Sequence, residues 1–254
     1  MEKVLEEFCR SYGARVSAFV SEIENLDTTG IPEPHLPHWG RLYENAPLKV
    51  GIIGRDTRSW GELGDFVHAV KENPEEALFR GKGEFDSLDF TEWTNNFGKT
   101  FWDTAMKILA SLHGISDWKR LKGRKEERVL RQFFWANANS IERFEVCPQE
   151  NGVPWNVWRK VKDASETHLD SLERILKLLK PDIVVLMNWN PGDHFLDFEV
   201  EWNHFGDHQA YAIHQPSQTH IFMTAHPTWL NQNHLYDEAI SGIIKRARKV
   251  TGRL

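Results

Sequence analysis

The chain has little cysteine: two residues, Cys9 and Cys147, in 254. Two thiols cannot supply a four-thiolate iron–sulfur cluster or a Cys-rich zinc site, and they build no disulfide framework, so a reducing cytoplasm is the expected location. Long apolar runs are also missing, and no stretch approaches the ~20 residues of a membrane-spanning helix. The N-terminal M-E-K-V-L-E-E-F is acidic and amphipathic, which is not the pattern of a targeting segment. Positive charge is not in excess: Lys plus Arg is 31 against 37 for Asp plus Glu, a formal charge of -6. A polycationic coat for nucleic acid is thereby excluded, and any DNA-binding face must be local. No heptad or longer repeat occurs. Tryptophan, in contrast, is plentiful at eleven residues. Flat aromatic faces suit stacking on bases or sugars, although ordinary packing accounts for most of them.

Apolar periodicity predicts a helix over residues 2–25 (Val4, Leu5, Phe8, Tyr12, Val16, Phe19, Val20, Ile23), and Ile31 to Gly40, with three prolines, reads as an ordered loop. Val50, Ile52 and Ile53 predict a buried strand broken at Gly54. Helices follow over Leu63 to Val70 and Phe97 to Leu112, and Gly81 to Asp89 reads as an exposed loop. Lys119 to Arg128 is basic, with the pattern of a solvated connection. Phe133 to Ala136 predicts a second strand, and Ser165 to Lys180 a helix with Ser165 as its N-cap. Asp182 to Met187, D-I-V-V-L-M, is the clearest buried strand, followed by a loop over Asn188 to Gly192. Gln209 to His214 and Thr219 to Thr224 predict two strands joined by a hairpin or an edge crossing. Asn233 to Val250 closes the chain as a helix whose K-R-A-R-K end complements the helix dipole. Strand, helix, strand in succession is the pattern of a parallel sheet.

Three of these strands end in polar loops: Gly54 to Arg58, Asn137 to Ser140 and His226 to Leu230. In a parallel sheet those ends share one edge, where ligands of open α/β folds gather. An Asp, an Asn and a His meeting there have a chemical logic. Breaking an N-glycosidic bond passes through a cationic sugar and an anionic leaving base. A carboxylate serves the first and a hydrogen-bond donor the second. An Asn carboxamide offers both a donor and an acceptor to a pyrimidine edge.

These residues resemble the uracil-DNA glycosylase superfamily over roughly Lys49 to Leu230. Its first motif is a strand ending in Gly-Gln-Asp-Pro-Tyr, and G-R-D-T-R places Asp56 on the water-activating Asp. Its late motif, His-Pro-Ser-Pro-Leu-Ser, matches H-P-T-W-L-N. That match puts His226 on the His that stabilises the leaving base and Leu230 on the wedge that enters the duplex, with Thr228 and Trp229 beside it on the DNA. F-W-A-N-A puts Asn137 on the base-reading Asn, and Asn139 lies within two residues of that register. The resemblance implies a three-layer α/β/α sandwich around a short, mainly parallel sheet. It also implies a monomer that acts on double-stranded DNA without cofactor or metal. The length favours one domain over 1–254, with an N-terminal helical extension over about 1–45 that lies outside the resemblance, and no membrane partner is expected. A flipped base is expected, with Leu230 or Trp229 filling the gap, because unstacking costs a few kcal/mol.

The departures concern substrate. Arg55 stands for the Gln, Thr57 for the Pro, and Arg58 for the Tyr that excludes a 5-substituent on the pyrimidine. With that gate absent, and with Trp60, Trp135, Trp189, Trp202 and Trp229 in or beside the loops, the expected substrate is a modified pyrimidine. Phage-defence members of the superfamily excise glucosylated hydroxymethylcytosine, which suits these residues; repair of uracil is the alternative. No Lys sits in the three loops to act as a lyase nucleophile, so a monofunctional enzyme leaving abasic sites is expected.

Two other classes remain open on the residues alone. His194, His204, His208, His214, His220, His226 and His234 crowd one region, which suggests a metallohydrolase, but no paired-ligand motif such as H-E-x-x-H occurs. A non-catalytic module for modified DNA would keep Asn137 and Leu230 and would not need Asp56. For the glycosidic chemistry, activity is expected to survive exhaustive chelation with EDTA, and its loss would return weight to the metallohydrolase.

Overall fold

The computed structural model describes residues 3–55, 61–74, 98–122, 127–142, 146–189 and 196–252. Helix α1 spans Lys3–Ile23 and strand β1 His38–Trp39, followed by β2 (Val50–Gly54), α2 (Leu63–Glu72) and α3 (Lys99–Leu112). A 3-10 turn at Trp118–Lys122 and the short α4 (Glu127–Leu130) lead into β3 (Phe133–Asn137). Next come α5 (Val146–Glu150), α6 (Trp155–His168), α7 (Leu172–Leu179) and β4 (Ile183–Trp189). The chain ends with β5 (Asn203–Gly206), β6 (Gln209–His214), β7 (Thr219–Ala225), α8 (Pro227–Gln232) and α9 (Tyr236–Val250).

The fold is mixed α/β. Among the described residues the strands form one seven-stranded sheet in the order β1-β3-β2-β4-β7-β6-β5. The four central strands β3, β2, β4 and β7 run parallel, and β1, β6 and β5 add antiparallel edges. The chain leaves β2 on one side toward β3 and, after crossing back, leaves β4 on the other side toward β7. The carboxyl ends of β2 and β4 therefore flank a topological switch point, where connections leave in opposite directions and open a crevice.

Strand side chains alternate faces, and each face has its own core. Ile53, Phe134, Ala136, Val184, Leu186, Ile221 and Met223 pack with residues of α1, α2, α6 and α7. Val50, Ile52, Phe133, Trp135, Ile183, Val185 and Phe222 pack with residues of α3, α8 and α9. Burial on both faces is why β4 reads as an unbroken apolar run, I-V-V-L-M, instead of alternating.

Several sequence expectations are corrected. The helix expected from Ser165 to Lys180 is two helices. Ser165 lies inside α6, buried, and both Leu169 N–H and Asp170 N–H donate to its carbonyl as that helix ends. The new N-cap is Ser171, whose Oγ accepts from Arg174 N–H at 3.4 Å. The break turns Asp170 toward the β3 loop, where its carboxylate accepts from Ser140 N–H at 2.7 Å. Of the hairpin or edge crossing expected between β6 and β7 the structure has the hairpin, while β1 and β5 stand where the sequence predicts no strand: each is short, and pairing with a neighbour, not residue type, makes it a strand. The exposed loop at Gly81 to Asp89 and the 190–192 end of the loop after β4 lie outside the described residues. Among those that are described, no helix is long and apolar enough to cross a membrane.

Gly51 sits in the middle of β2, and a methyl group there would come within 2.2 Å of the Phe134 ring. Gly51→Ala is expected to lower unfolding free energy by about 1–3 kcal/mol through overpacking, read from chemical denaturation.

Candidate functional site

At the carboxyl edge of the sheet, β2 and β3 stay in register to their last residues, with Gly54 opposite Asn137. The pairing then continues into both loops: Ala138 N–H donates to Gly54 O at 3.0 Å and Asn139 N–H to Arg55 O at 2.9 Å. Gly54 is required here for space. A Cβ on it would lie 2.6 Å from Asn137 Oδ1 and 3.5 Å from the Phe101 ring, so the carboxamide and the ring both close over this bare stretch of backbone. Asn137 and Asn139 are buried, and the Asn139 Oδ1 has no hydrogen-bond partner among the described residues.

The opposite wall comes from β7. Its last residue pairs with Trp189 of β4, and the next, His226, is the N-cap of α8. What the sequence presents as a polar loop is thus the start of a helix, with Pro227 at the first position, where its missing N–H costs nothing. His226 Nδ1 accepts from Thr228 N–H at 3.2 Å. An imidazole nitrogen that accepts there carries no proton, so the neutral ring holds its proton on Nε2 and keeps a donor for a ligand. The ring is open to solvent on one side, yet the protein crowding its other sides, and then the nearby Arg55 guanidinium, push its pKa below the usual histidine value. Both effects favour the neutral form.

Phe101 links the two walls. It stands near Gly54, and its ring is almost parallel to that of His226, at 21° with centroids 6.4 Å apart. The sequence marks Phe101 only as an apolar helix residue; its place in the first turn of α3 carries it to this edge. Behind it, Trp102 meets Trp135 at 5.0 Å, and Trp135 meets His35 at 4.1 Å. His35 is edge-on to His38 at 4.8 Å. Burial pushes His38 down to about 4 and His35 also well below its usual value, so both rings are neutral at physiological pH. His35 N–H donates to Ser140 O at 2.7 Å, so the Ile31 to Gly40 loop, to which the sequence assigns no part, buttresses the Asn137–Ser140 turn.

The structure therefore brings Arg55, Asn137, Asn139 and His226 to one edge. Asp56, Thr57, Arg58 and Trp60 lie outside the described residues. Thr228 is exposed in the first turn of α8, and Trp229 beside it is 41% exposed, with its ring edge-on to His208 at 4.6 Å. Leu230 corrects an expectation: it is fully buried in the core beneath α8, because the helix turns it inward, and it has no surface from which to enter a duplex. Trp135 is buried and Trp202 packs against the other core, so of the three rings among them that are described Trp229 is the exposed one. Of the clustered histidines, His208 reaches this edge, His204 is exposed on β5, and His214 is buried at the opposite end of the sheet. Among the described residues no group of three or more His, Cys, Asp or Glu is placed to hold a metal ion.

A carboxamide, a neutral imidazole donor, a guanidinium and an aromatic face together can hold a flat hydrogen-bonding ring and take up negative charge developing on it. By NMR, the His226 ring is expected to titrate below 6.5, the ordinary histidine value. Arg55→Gln is expected to move that midpoint upward, since removing the cation relieves the imidazolium; an unchanged or lowered midpoint would contradict the electrostatic coupling.

No family model matches the chain, and no curated protein matches it significantly.

Proposed function

We propose that this chain is a monofunctional DNA glycosylase of the uracil-DNA glycosylase superfamily, hydrolysing the N-glycosidic bond of a flipped-out modified pyrimidine in double-stranded DNA. The observation that carries the reading is His226. It is held neutral with its proton on Nε2, at the same sheet edge as the buried Asn137. A leaving base departs as an anion, and a neutral donor preorganised beside it stabilises that charge without first giving up a proton. Asp56, the residue after Arg55, is assigned the carboxylate that orients water and balances the cationic sugar. Asn137 reads the base, with the Asn139 acceptor next to it. Arg55 adds positive charge for the departing anion or for a phosphate. Thr57, Arg58 and Trp60 complete the pocket in this assignment. A three-layer α/β/α sandwich is part of the same reading and rests on the two cores that flank the sheet.

Thr228 and Trp229 are assigned to the DNA. With Leu230 buried, Trp229 is the side chain that replaces the extruded base in the stack, and its exposure and its footing on His208 support that role. The best substrate on this reading is α-glucosylated hydroxymethylcytosine in phage DNA, whose excision leaves abasic sites as a cytoplasmic antiviral defence. It rests on Arg58 and Thr57 standing where the family's gate would be.

The deciding experiment incubates the purified protein with three duplexes, carrying uracil, hydroxymethylcytosine or its α-glucoside, then cuts abasic sites with alkali. Cleavage confined to the glucosylated duplex, abolished in Asp56→Asn and reduced by about 10²–10³-fold in His226→Ala, is the expected result. Cleavage of the uracil duplex would make it a repair enzyme. Retained binding with no cleavage of any duplex would indicate a non-catalytic reader of modified DNA.

A further inference from the structure

A second cavity lies at the far end of the sheet. A cavity of about 660 Å³ opens between the start of α7, the 196–203 segment and the end of β6, within the size range of small-ligand pockets. β6 pairs antiparallel with β7 so that His214 lies opposite Thr219, the first residue of β7, while His226 follows the last. The length of β7, about 20 Å at the usual strand rise, separates the two sites.

Four carboxylates line the cavity, those of Glu173, Asp197, Glu199 and Glu201, and among the described lining residues there is no lysine or arginine. Two of the four are engaged. Asp197 accepts from Ser171 Oγ–H and Glu173 N–H at the start of α7, and Glu173 pairs with Lys177 at 2.7 Å. Glu199 and Glu201 are exposed along the 196–203 segment.

The independent observation is His214. Its side chain is almost wholly buried, 3% exposed, and a directed chain of hydrogen bonds fixes its tautomer. Thr219 Oγ1–H donates to Pro181 O at 2.8 Å, which commits the only proton that hydroxyl has. Ser217 Oγ, 2.6 Å away, must then donate to Thr219, and in turn accepts from His214 Nδ1–H at 2.7 Å. Nε2 is left as a bare lone pair. It has no hydrogen-bond partner and looks across 3.8 Å at Glu173 Oε1, too far for a hydrogen bond. Burial holds the His214 pKa down against the opposing pull of Glu173, so the lone pair persists at neutral pH. Two acceptors 3.8 Å apart in the cavity wall are both satisfied by one shared cationic donor. The Phe198 ring lies 4.7 Å from His214 and supplies an aromatic face of the kind that favours an organic cation.

We propose that this cavity binds an organic ammonium group, with His214 Nε2 and Glu173 as its inner acceptors and Glu199 and Glu201 as its outer counter-charges. A free polyamine and a lysine side chain carry the same group, and two probes separate them. Titration calorimetry of the full chain at low salt is made with spermidine and with an end-blocked Gly-Lys-Gly peptide. Saturable one-to-one binding is expected for at least one probe, weakened by about tenfold in the double variant E199Q/E201Q and unchanged in D237N/E238Q, which removes equal charge from α9. Binding of spermidine alone assigns a polyamine; binding of the peptide assigns a lysine side chain. H214F is expected to abolish binding, and because a buried replacement can unfold the chain, the exposed pair decides the matter. No binding of either probe, or equal weakening in both charge variants, would overturn the site in favour of general attraction to an acidic protein.

Discussion

Parallel pairing between β2 and β3 runs to the last residue of each strand, and the hydrogen bonds continue into the loops from Ala138 to Gly54 and from Asn139 to Arg55. Everything at the candidate site hangs on that register. Side chains alternate along a strand, so a slip of one residue would send Asn137 to the other face and bring a neighbour with a different side chain against Gly54. The bare backbone of Gly54 is what allows the Asn137 carboxamide and the Phe101 ring to close over the strand end. Asp170 and His35 hold the following turn through Ser140, which spreads the support over both neighbouring layers of chain.

Electrostatics at this edge is set by backbone geometry and burial as much as by charge. His226 is at once a helix cap and an open imidazole. The same hydrogen bond that ends the exposure of Thr228 N–H dictates which ring nitrogen keeps the proton. Protein crowding and Arg55 then hold the ring neutral. His35 and His38, neutral by burial, act differently. They pack against Trp135 and stiffen the wall behind Phe101 without presenting charge to it. His214 repeats the logic at the other end of the sheet, where a hydroxyl chain selects the opposite tautomer and leaves an acceptor.

Much of the fold could be read from residue order because strands buried on both faces are unbroken apolar runs. Val50 to Gly54, Phe133 to Asn137 and Ile183 to Met187 carry that signal, and polar residues mark where they stop. The readings that failed did so where local signals compete. Ser165 and Ser171 are both plausible caps six residues apart, and only the reach of Asp170 to Ser140 decides that the break falls between them. Leu230 matches a motif position by spacing, yet the helical turn that begins at Pro227 points it into the core and leaves Trp229 outside. Phe101 carries no mark in the sequence, since an apolar residue in an amphipathic helix looks the same whether it ends in a core or beside a site.

The sequence by itself determined which residue types stand at the strand ends, Arg55 after β2, Asn137 at the end of β3 and His226 after β7, because an apolar run followed by polar residues is a local feature. Tertiary structure alone decided that these ends lie together, since their meeting requires the sheet order β3-β2-β4-β7, which is set by how the connecting helices divide between the two faces. It also decided the protonation of His226 and His214. A tautomer depends on which donor or acceptor packing brings to each ring nitrogen, and no single stretch of chain contains that information.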